Sequence, residues 1–183
     1  DGSAYRASVT IEPNAGGRLS VGDLAGFPAG KVYSVRYDSD MPVALSLPTN
    51  AFGEAIGSSF SDVSYTQWLF GEGFRPPTEL ADSVDEYIRV YNPNASDVVI
   101  EITIRYDNNG GLEVFRRAVS AREVAEFDVH TFITGSHRDE YSYYGITVKA
   151  ASPIVAYMGH YDAFFPGAFG TLGTPLGNAR ADI

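Results

Sequence analysis

The chain of 183 residues has no cysteine, two methionines, one tryptophan, and only 13 Lys and Arg against 23 Asp and Glu. Without cysteine there is no disulfide, no thiolate zinc site and no thiol nucleophile. The shortage of basic residues leaves a formal charge of −10. That balance argues against nucleic acid, whose phosphates need clustered Lys and Arg, and against anionic membrane surfaces. No run of about 18 apolar residues exists, so no membrane-spanning helix is expected. A nucleophile elbow of the Gly-x-Ser-x-Gly type and a phosphate-binding loop are also missing. No signal peptide is visible at Asp1 and no Met starts the chain, which reads as a processed or trimmed form.

What is abundant belongs to sheets. There are 12 Tyr and 11 Phe among many Val, Ile and Thr, with 19 Gly and 10 Pro to make turns. One pattern occurs twice. Tyr33-Ser-Val-Arg-Tyr-Asp-Ser-Asp-Met-Pro42-Val-Ala-Leu and Tyr144-Gly-Ile-Thr-Val-Lys-Ala-Ala-Ser-Pro153-Ile-Val-Ala are separated by a constant offset of 111 residues (144 − 33 and 153 − 42). A repeat of this kind predicts two copies of one folding unit.

Alternation predicts strands at Val9–Ile11, Leu19–Val21, Tyr33–Asp38, Pro42–Leu47 and Ala55–Ser59. A richer set follows at Tyr87–Tyr91, Ile100–Tyr106, Glu113–Val119, Val124–Val129, Tyr144–Val148, Pro153–Tyr161 and Thr171–Thr174. Asp107-Asn-Asn-Gly-Gly111 reads as a hairpin turn. The fold class is therefore all-β: two consecutive antiparallel β-sandwich (Ig-like) units, the first incomplete. Residues 1–62 form the incomplete N-terminal unit and residues 63–183 the complete one.

Trp68-Leu-Phe-Gly-Glu-Gly73, Tyr87-Ile-Arg-Val-Tyr-Asn-Pro-Asn94 and Ser152-Pro-Ile-Val-Ala156 carry a further reading. An aromatic segment ending in Glu-Gly, a strand ending in Asn-Pro, and a Pro-led apolar strand resemble a family of tandem β-sandwich (Ig-like) repeats. That family occurs in large secreted bacterial and archaeal surface proteins. The resemblance implies an extracellular or cell-surface scaffold, and it transfers no catalytic residue.

Reactive chemistry has few footholds. His130 and His137 flank one loop beside Asp139 and Glu140, but a metal site needs convergent ligands. Asp107, Asn109 and Glu113 faintly match a Ca²⁺ loop, without its twelve-residue pattern, and the hairpin reading weighs more. Asp82, Asp85 and Glu86 lie in a stretch that reads as solvated loop, with nothing to place them across a sugar as a glycosidase pair requires. Tyr143, Tyr157 and Tyr161 form an aromatic row that is either a ligand platform or cross-strand packing. Asn94-Ala-Ser96 is a glycosylation triplet.

The incomplete unit shapes the functional expectation. Strands without neighbours leave N–H and C=O groups unpaired, and a second chain can supply the missing partner. The expected protein is a non-enzymatic extracellular structural protein that self-associates head to tail, as a filament subunit. The interface would be Tyr5, Val9, Ile11, Tyr65, Trp68 and Phe70. The alternative is a monomeric module that binds surface glycans.

Overall fold

Sequence alternation sets most of the strands, and the partners available set which of them form. A computed structural model describes residues 3–51, 54–107, 110–163 and 167–180. It divides into a unit over Asp1–Tyr33 and a unit over Ser34–Ile183. The described part of the first unit holds a short 3-10 turn, Val21–Asp23, and no strand. Its rings pack locally: Phe27 meets Tyr5 at 5.4 Å and Tyr33 at 5.1 Å, both edge to face.

In the second unit, strands β1 (Leu47–Ala51) and β2 (Glu54–Ser58) pair antiparallel. Next come β3 (Ser64–Arg75), β4 (Val84–Tyr91), β5 (Val98–Tyr106), β6 (Leu112–Val119) and β7 (Val124–Asp128). The last three are β8 (Ser142–Asp162), β9 (Gly167–Leu172) and β10 (Thr174–Arg180). Two sheets result, ordered β10-β3-β8-β5-β6 and β7-β4-β8-β9, all antiparallel. The all-β antiparallel expectation holds, and every strand of the sandwich falls within 64–180.

The strands expected at 9–11, 19–21, 33–38 and 42–46 are not formed. An extended run becomes a strand only when a neighbouring strand takes its N–H and C=O groups, and among the described residues these runs pair with no strand. The two copies of the 111-residue repeat therefore share a pattern and differ in structure. The later copy lies wholly inside β8.

β8 organises the sandwich. Its even positions are buried over 142–150 and again over 154–162, with Ser152 between them half-buried. Residues 142–150 pair with β3 and β5, whereas residues 155–162 pair with β4 and β9. The strand changes sheet over 151–153, the residues between its paired runs, and Ile154 still stands in register with Tyr65 of β3. Trp68 Nε1 donates to the Ile154 carbonyl at 2.8 Å, and Asn94 Nδ2 donates to the Pro153 carbonyl at 2.9 Å. The first ties the Trp68 ring to the strand just past the corner, and the second satisfies a carbonyl at the corner itself.

The core lies between the sheets. Trp68, Val148 and Ile102 stand in register, as do Phe70, Ile146 and Ile104. The other sheet answers with Ile88 beside Met158 and Val90 beside Ala156. On that sheet's outer face, Ile56 of β2 packs on Tyr87 and Tyr161, with Tyr157 at the edge. The paired Gly159 and Gly170 make room there. A Cβ on Gly159 would strike the Tyr87 ring, and one on Gly170 would strike the Tyr157 hydroxyl and Ile56.

Candidate functional site

The site is built by the turn of β8. Tyr143 and His160 are 17 residues apart on one strand. A straight strand would hold them more than about 50 Å apart at about 3.3 Å per residue. Because β8 crosses between sheets, both instead line one cleft.

A second device turns Phe74 toward them. β3 pairs Phe70 with Ile146 but Gly73 with Tyr144, so one extra residue is inserted over Gly71–Glu72. Such a bulge reverses the facing of every later side chain. Trp68 and Phe70 point inward before it; Gly73 and Arg75 are the buried ones after it. Phe74 is thereby placed opposite Tyr143. Gly73 is required, because a Cβ would overlap the Tyr144 ring. The Gly-Glu-Gly motif is thus a register switch.

Below the cleft lies a buried carboxylate. Glu86 has 0% exposure and continues the inward row of Ile88 and Val90. Its cross-strand partner is His160. His160 Nδ1 lies 2.9 Å from Glu86 Oε2, Phe74 N–H donates to the same oxygen at 3.2 Å, and the Tyr144 hydroxyl donates to Oε1 at 2.7 Å. Burial first, then the neighbouring Glu86, pushes the Tyr144 phenol well up, so it stays a donor. The interior charge thus has three donors, which is the condition for keeping a carboxylate in a core. With Nδ1 committed to Glu86, Nε2 is the ring nitrogen available to the cleft.

Phe74 is gripped from both sides. Its carbonyl accepts from His130 Nε2 at 3.1 Å, while Asp128 accepts from the His130 backbone N–H at 2.9 Å. Burial holds the His130 pKa below its ordinary value, against the pull of Glu86 and the Phe74 carbonyl. The adjacent Arg75 is also buried. Its Nη1 donates to the carbonyls of Pro76 at 3.1 Å and Arg138 at 2.5 Å, tying β3 to the 3-10 turn Gly135–Arg138. Desolvation, then Arg138, lowers its pKa.

The cleft encloses about 440 Å³ and opens on the surface. Its rings are Phe74, Tyr141, Tyr143 and Phe169. Phe74 lies 6.1 Å from Tyr141 and 5.2 Å from Tyr143, and His160 stacks on Phe169 at 5.0 Å. Tyr141 and Tyr143 keep 52% and 54% of their surface exposed, so both present accessible surface at the cleft. Glu72 and Asp162 also line it, and among the described residues the lining holds no Lys or Arg.

Of the expected platform, only Tyr143 reaches this cleft. Tyr161 is buried beneath β2, and Tyr157 is half-buried with its hydroxyl enclosed. Trp68 and Phe70 are not interface residues; they are core, because their parity on β3 points inward. Tyr65 is half-buried and meets Trp68 edge to face at 5.6 Å. Tyr5, Val9 and Ile11 are exposed. Asn94 is no open glycosylation site in the fold: it is buried, and Nδ2 donates to Asn92 Oδ1 and Pro153 O.

Of the Ca²⁺ trio, Asn109 lies outside the described residues. The Glu113 carboxylate already accepts from the Tyr106 hydroxyl at 2.6 Å and from the Thr134 N–H and hydroxyl. His137 stacks on Tyr106 at 3.6 Å, away from the Phe74 carbonyl that His130 holds. Among the described residues, no group of three His, Asp or Glu could hold a metal. Among them, too, no helix is long and apolar enough to cross a membrane. Sequence reasoning did not single out Phe74, and it read Glu86 as part of a solvated loop; Glu86 instead lies in β4 and is buried, because its strand parity turns it inward. The even-number parity of Glu86 with Ile88 and Val90 was the signal that it faces inward.

Comparison with known proteins agrees with this architecture. The family model described as Anabaena sensory rhodopsin transducer matches residues 63–166, more than half of the chain. The crystal structure of Thermotoga maritima 1070 is similar over 62% of this chain and 96% of that one, at 16% identity and a TM-score of 0.53. The Anabaena sensory rhodopsin transducer aligns over 51% of this chain and 93% of that one, at 22% identity and a TM-score of 0.41. No curated protein matches the chain.

Proposed function

We propose, from the premise that this chain belongs to the Anabaena sensory rhodopsin transducer family, that it is a non-enzymatic transducer-type module. It acts by reversible binding of a small ligand in the cleft beside His160. The observation that carries this reading is the union of accessible ring surface with one oriented imidazole. Phe74, Tyr141, Tyr143 and Phe169 supply stacking surface, and Glu86 fixes the His160 ring from below. A cleft of this size suits a small ligand. Among the described residues, no Ser or Thr hydroxyl lines it to act as a nucleophile beside the imidazole. Ligand contact with Phe74 would reach the interior directly, because the Phe74 backbone is held by Glu86 and His130.

The test is a ligand-observed and protein-observed NMR screen of the full chain against a library of small sugars, amines, acids and aromatic metabolites. Hits should shift His160 and Tyr143 resonances, and Tyr143→Ala should abolish saturable binding. A library-wide failure to shift those resonances would sink the reading.

A second reading is the self-associating extracellular subunit. It is favoured by the exposure of Tyr5, Val9 and Ile11 on the first unit. Light scattering and electron microscopy with and without residues 1–12 decide it. A strictly monomeric full chain at high concentration removes it.

A further inference from the structure

We infer that residues 35–45 are a donor strand, which adds to the free edge of β6 in a second copy of this chain. The inference rests on the self-associating reading above and moves its contact away from residues 1–12.

The run repeats part of the sandwich. At the constant offset of 111 residues, Val35, Tyr37, Val43 and Leu45 correspond to Ile146, Val148, Ile154 and Ala156, four buried residues of the inward row of β8. The correspondence continues in three dimensions. Glu54-Ala-Ile-Gly-Ser58 matches Gly167-Ala-Phe-Gly-Thr171, and β2 pairs antiparallel with β1 as β9 pairs with the end of β8. In β8, residues 142–150 are flanked by β3 and β5. Among the described residues, their counterpart has no strand on either side.

The run therefore keeps both its backbone groups and its apolar row unused. Among the described residues, no backbone-to-backbone hydrogen bond holds 34–45, although the Ser39 hydroxyl donates locally to the Met41 carbonyl. Tyr37, Met41, Val43 and Leu45 are exposed, Met41 at 69%. All are odd-numbered and share one face of an extended strand, while Arg36, Asp38 and Asp40 take the other. Strand addition needs such a segment, with free N–H and C=O groups and side chains of alternating character.

Four strands end the two sheets, and β6 suits this donor. β10 carries Pro175 and shifts register between Leu176 and Ala179. β9 has only six residues, two of them Gly167 and Gly170. β7 is shorter still and acidic, with Glu126 and Asp128. β6 has eight residues, contains neither Gly nor Pro, and pairs with β5 alone. Its outer face exposes Leu112 and Val114, with Val99 of β5 on the same side. Arg117 lies on the opposite face, over the Phe132 ring at 4.9 Å. A donor whose apolar row continues Leu112 and Val114 puts Asp38 and Asp40 on the Arg117 face. Charge on an edge guards it against unmatched strands, and an arginine edge admits an acidic one. Pro42 is tolerated because the added strand becomes the new edge. Donor and acceptor are different surfaces, so the contact is heterologous and propagates head to tail.

The experiment is sedimentation of the full chain from about 10 μM to about 1 mM, the range of contacts of modest affinity. Mass should rise with concentration, and the amides of 35–45 and 112–119 should gain protection from hydrogen exchange together. Val43→Asp on the donor and Arg117→Glu on the acceptor should each weaken association about tenfold or more. Adding Asp38→Lys to Arg117→Glu should recover most of it. An equimolar mixture of the Val43→Asp and Arg117→Glu chains should form a dimer and nothing longer, since one keeps the acceptor and the other the donor. Association unchanged by both single variants, or a mixture that stays monomeric while the native chain associates, would overturn the donor-strand assignment and leave self-association standing. A native chain that stays monomeric throughout would overturn both.

Discussion

Replacing Glu86 by Leu and by Gln separates the roles of its volume and its acceptors. Leu fills much of the same space and offers no acceptor. It would leave the Tyr144 hydroxyl, the Phe74 N–H and His160 Nδ1 facing an apolar group in a region with 0% exposure at residue 86. Each buried unpaired donor costs about 1–3 kcal/mol, so the expected loss is at least about 3 kcal/mol. Gln can keep its oxygen toward Phe74 and His160 and turn its NH₂ toward Tyr144, whose hydroxyl can accept. What it forfeits is the charge-assisted strength of these bonds, about 1–2 kcal/mol. The assay is urea unfolding followed by the fluorescence of Trp68, the single tryptophan, which sits in the core. With a slope of about 2 kcal/mol per M, the midpoint should fall by about 0.5–1 M for Glu86→Gln and by about 1.5 M or more for Glu86→Leu. Adding Tyr144→Phe to Glu86→Gln should be non-additive by about 1 kcal/mol, since the two share one hydrogen bond. Equal midpoints for the two Glu86 variants would refute the three-donor account.

The corner of β8 makes a sharper local claim: Trp68→Phe keeps a ring in the core but removes the donor to Ile154 O, so it should cost about 1–3 kcal/mol in the same unfolding assay. Gly170→Ala drives a Cβ into the Tyr157 hydroxyl and Ile56, so hydrogen exchange over residues 47–58 should accelerate with a stability loss of about 1–3 kcal/mol. For His130, the lowered folded pKa means the unfolded chain takes up a proton that the folded chain resists. That contribution is intact above the ordinary value of 6.5 and is lost as pH falls toward the folded value, with a slope of at most about 1.4 kcal/mol per pH unit. His130→Gln should flatten that part of a stability-versus-pH curve between about pH 6.5 and 5, and an unchanged curve would exclude His130 as its source.

Some of the fold was legible because it is local. Ile100, Ile102 and Ile104 alternate with Glu101 and Thr103, and β5 follows from that parity and nothing else. The reversal between β5 and β6 was equally plain: Gly110 N–H donates to the Asp107 carbonyl at 2.8 Å and Gly111 takes φ 83°. The same local rule failed at Tyr33–Leu45, whose alternation matches that of Tyr144–Ala156. Periodicity states that a segment can pair, and only the three-dimensional arrangement provides the partner. It failed again at Trp68 and Phe70, read as interface residues, because their burial depends on what covers β3.

The amino-acid order by itself determined the all-β class, the acidic balance, the lack of thiol chemistry and the inward row of β5, since each depends on residue type or on neighbours two positions away. The cleft was decided by tertiary structure alone. Its parts come from β3, β4, β8 and β9, and it exists because β8 turns between sheets and a single inserted residue after Phe70 swings Phe74 outward. A register shift and a change of sheet leave no compositional trace, so Phe74, Glu86, Tyr143 and His160 become neighbours only when the strands are paired.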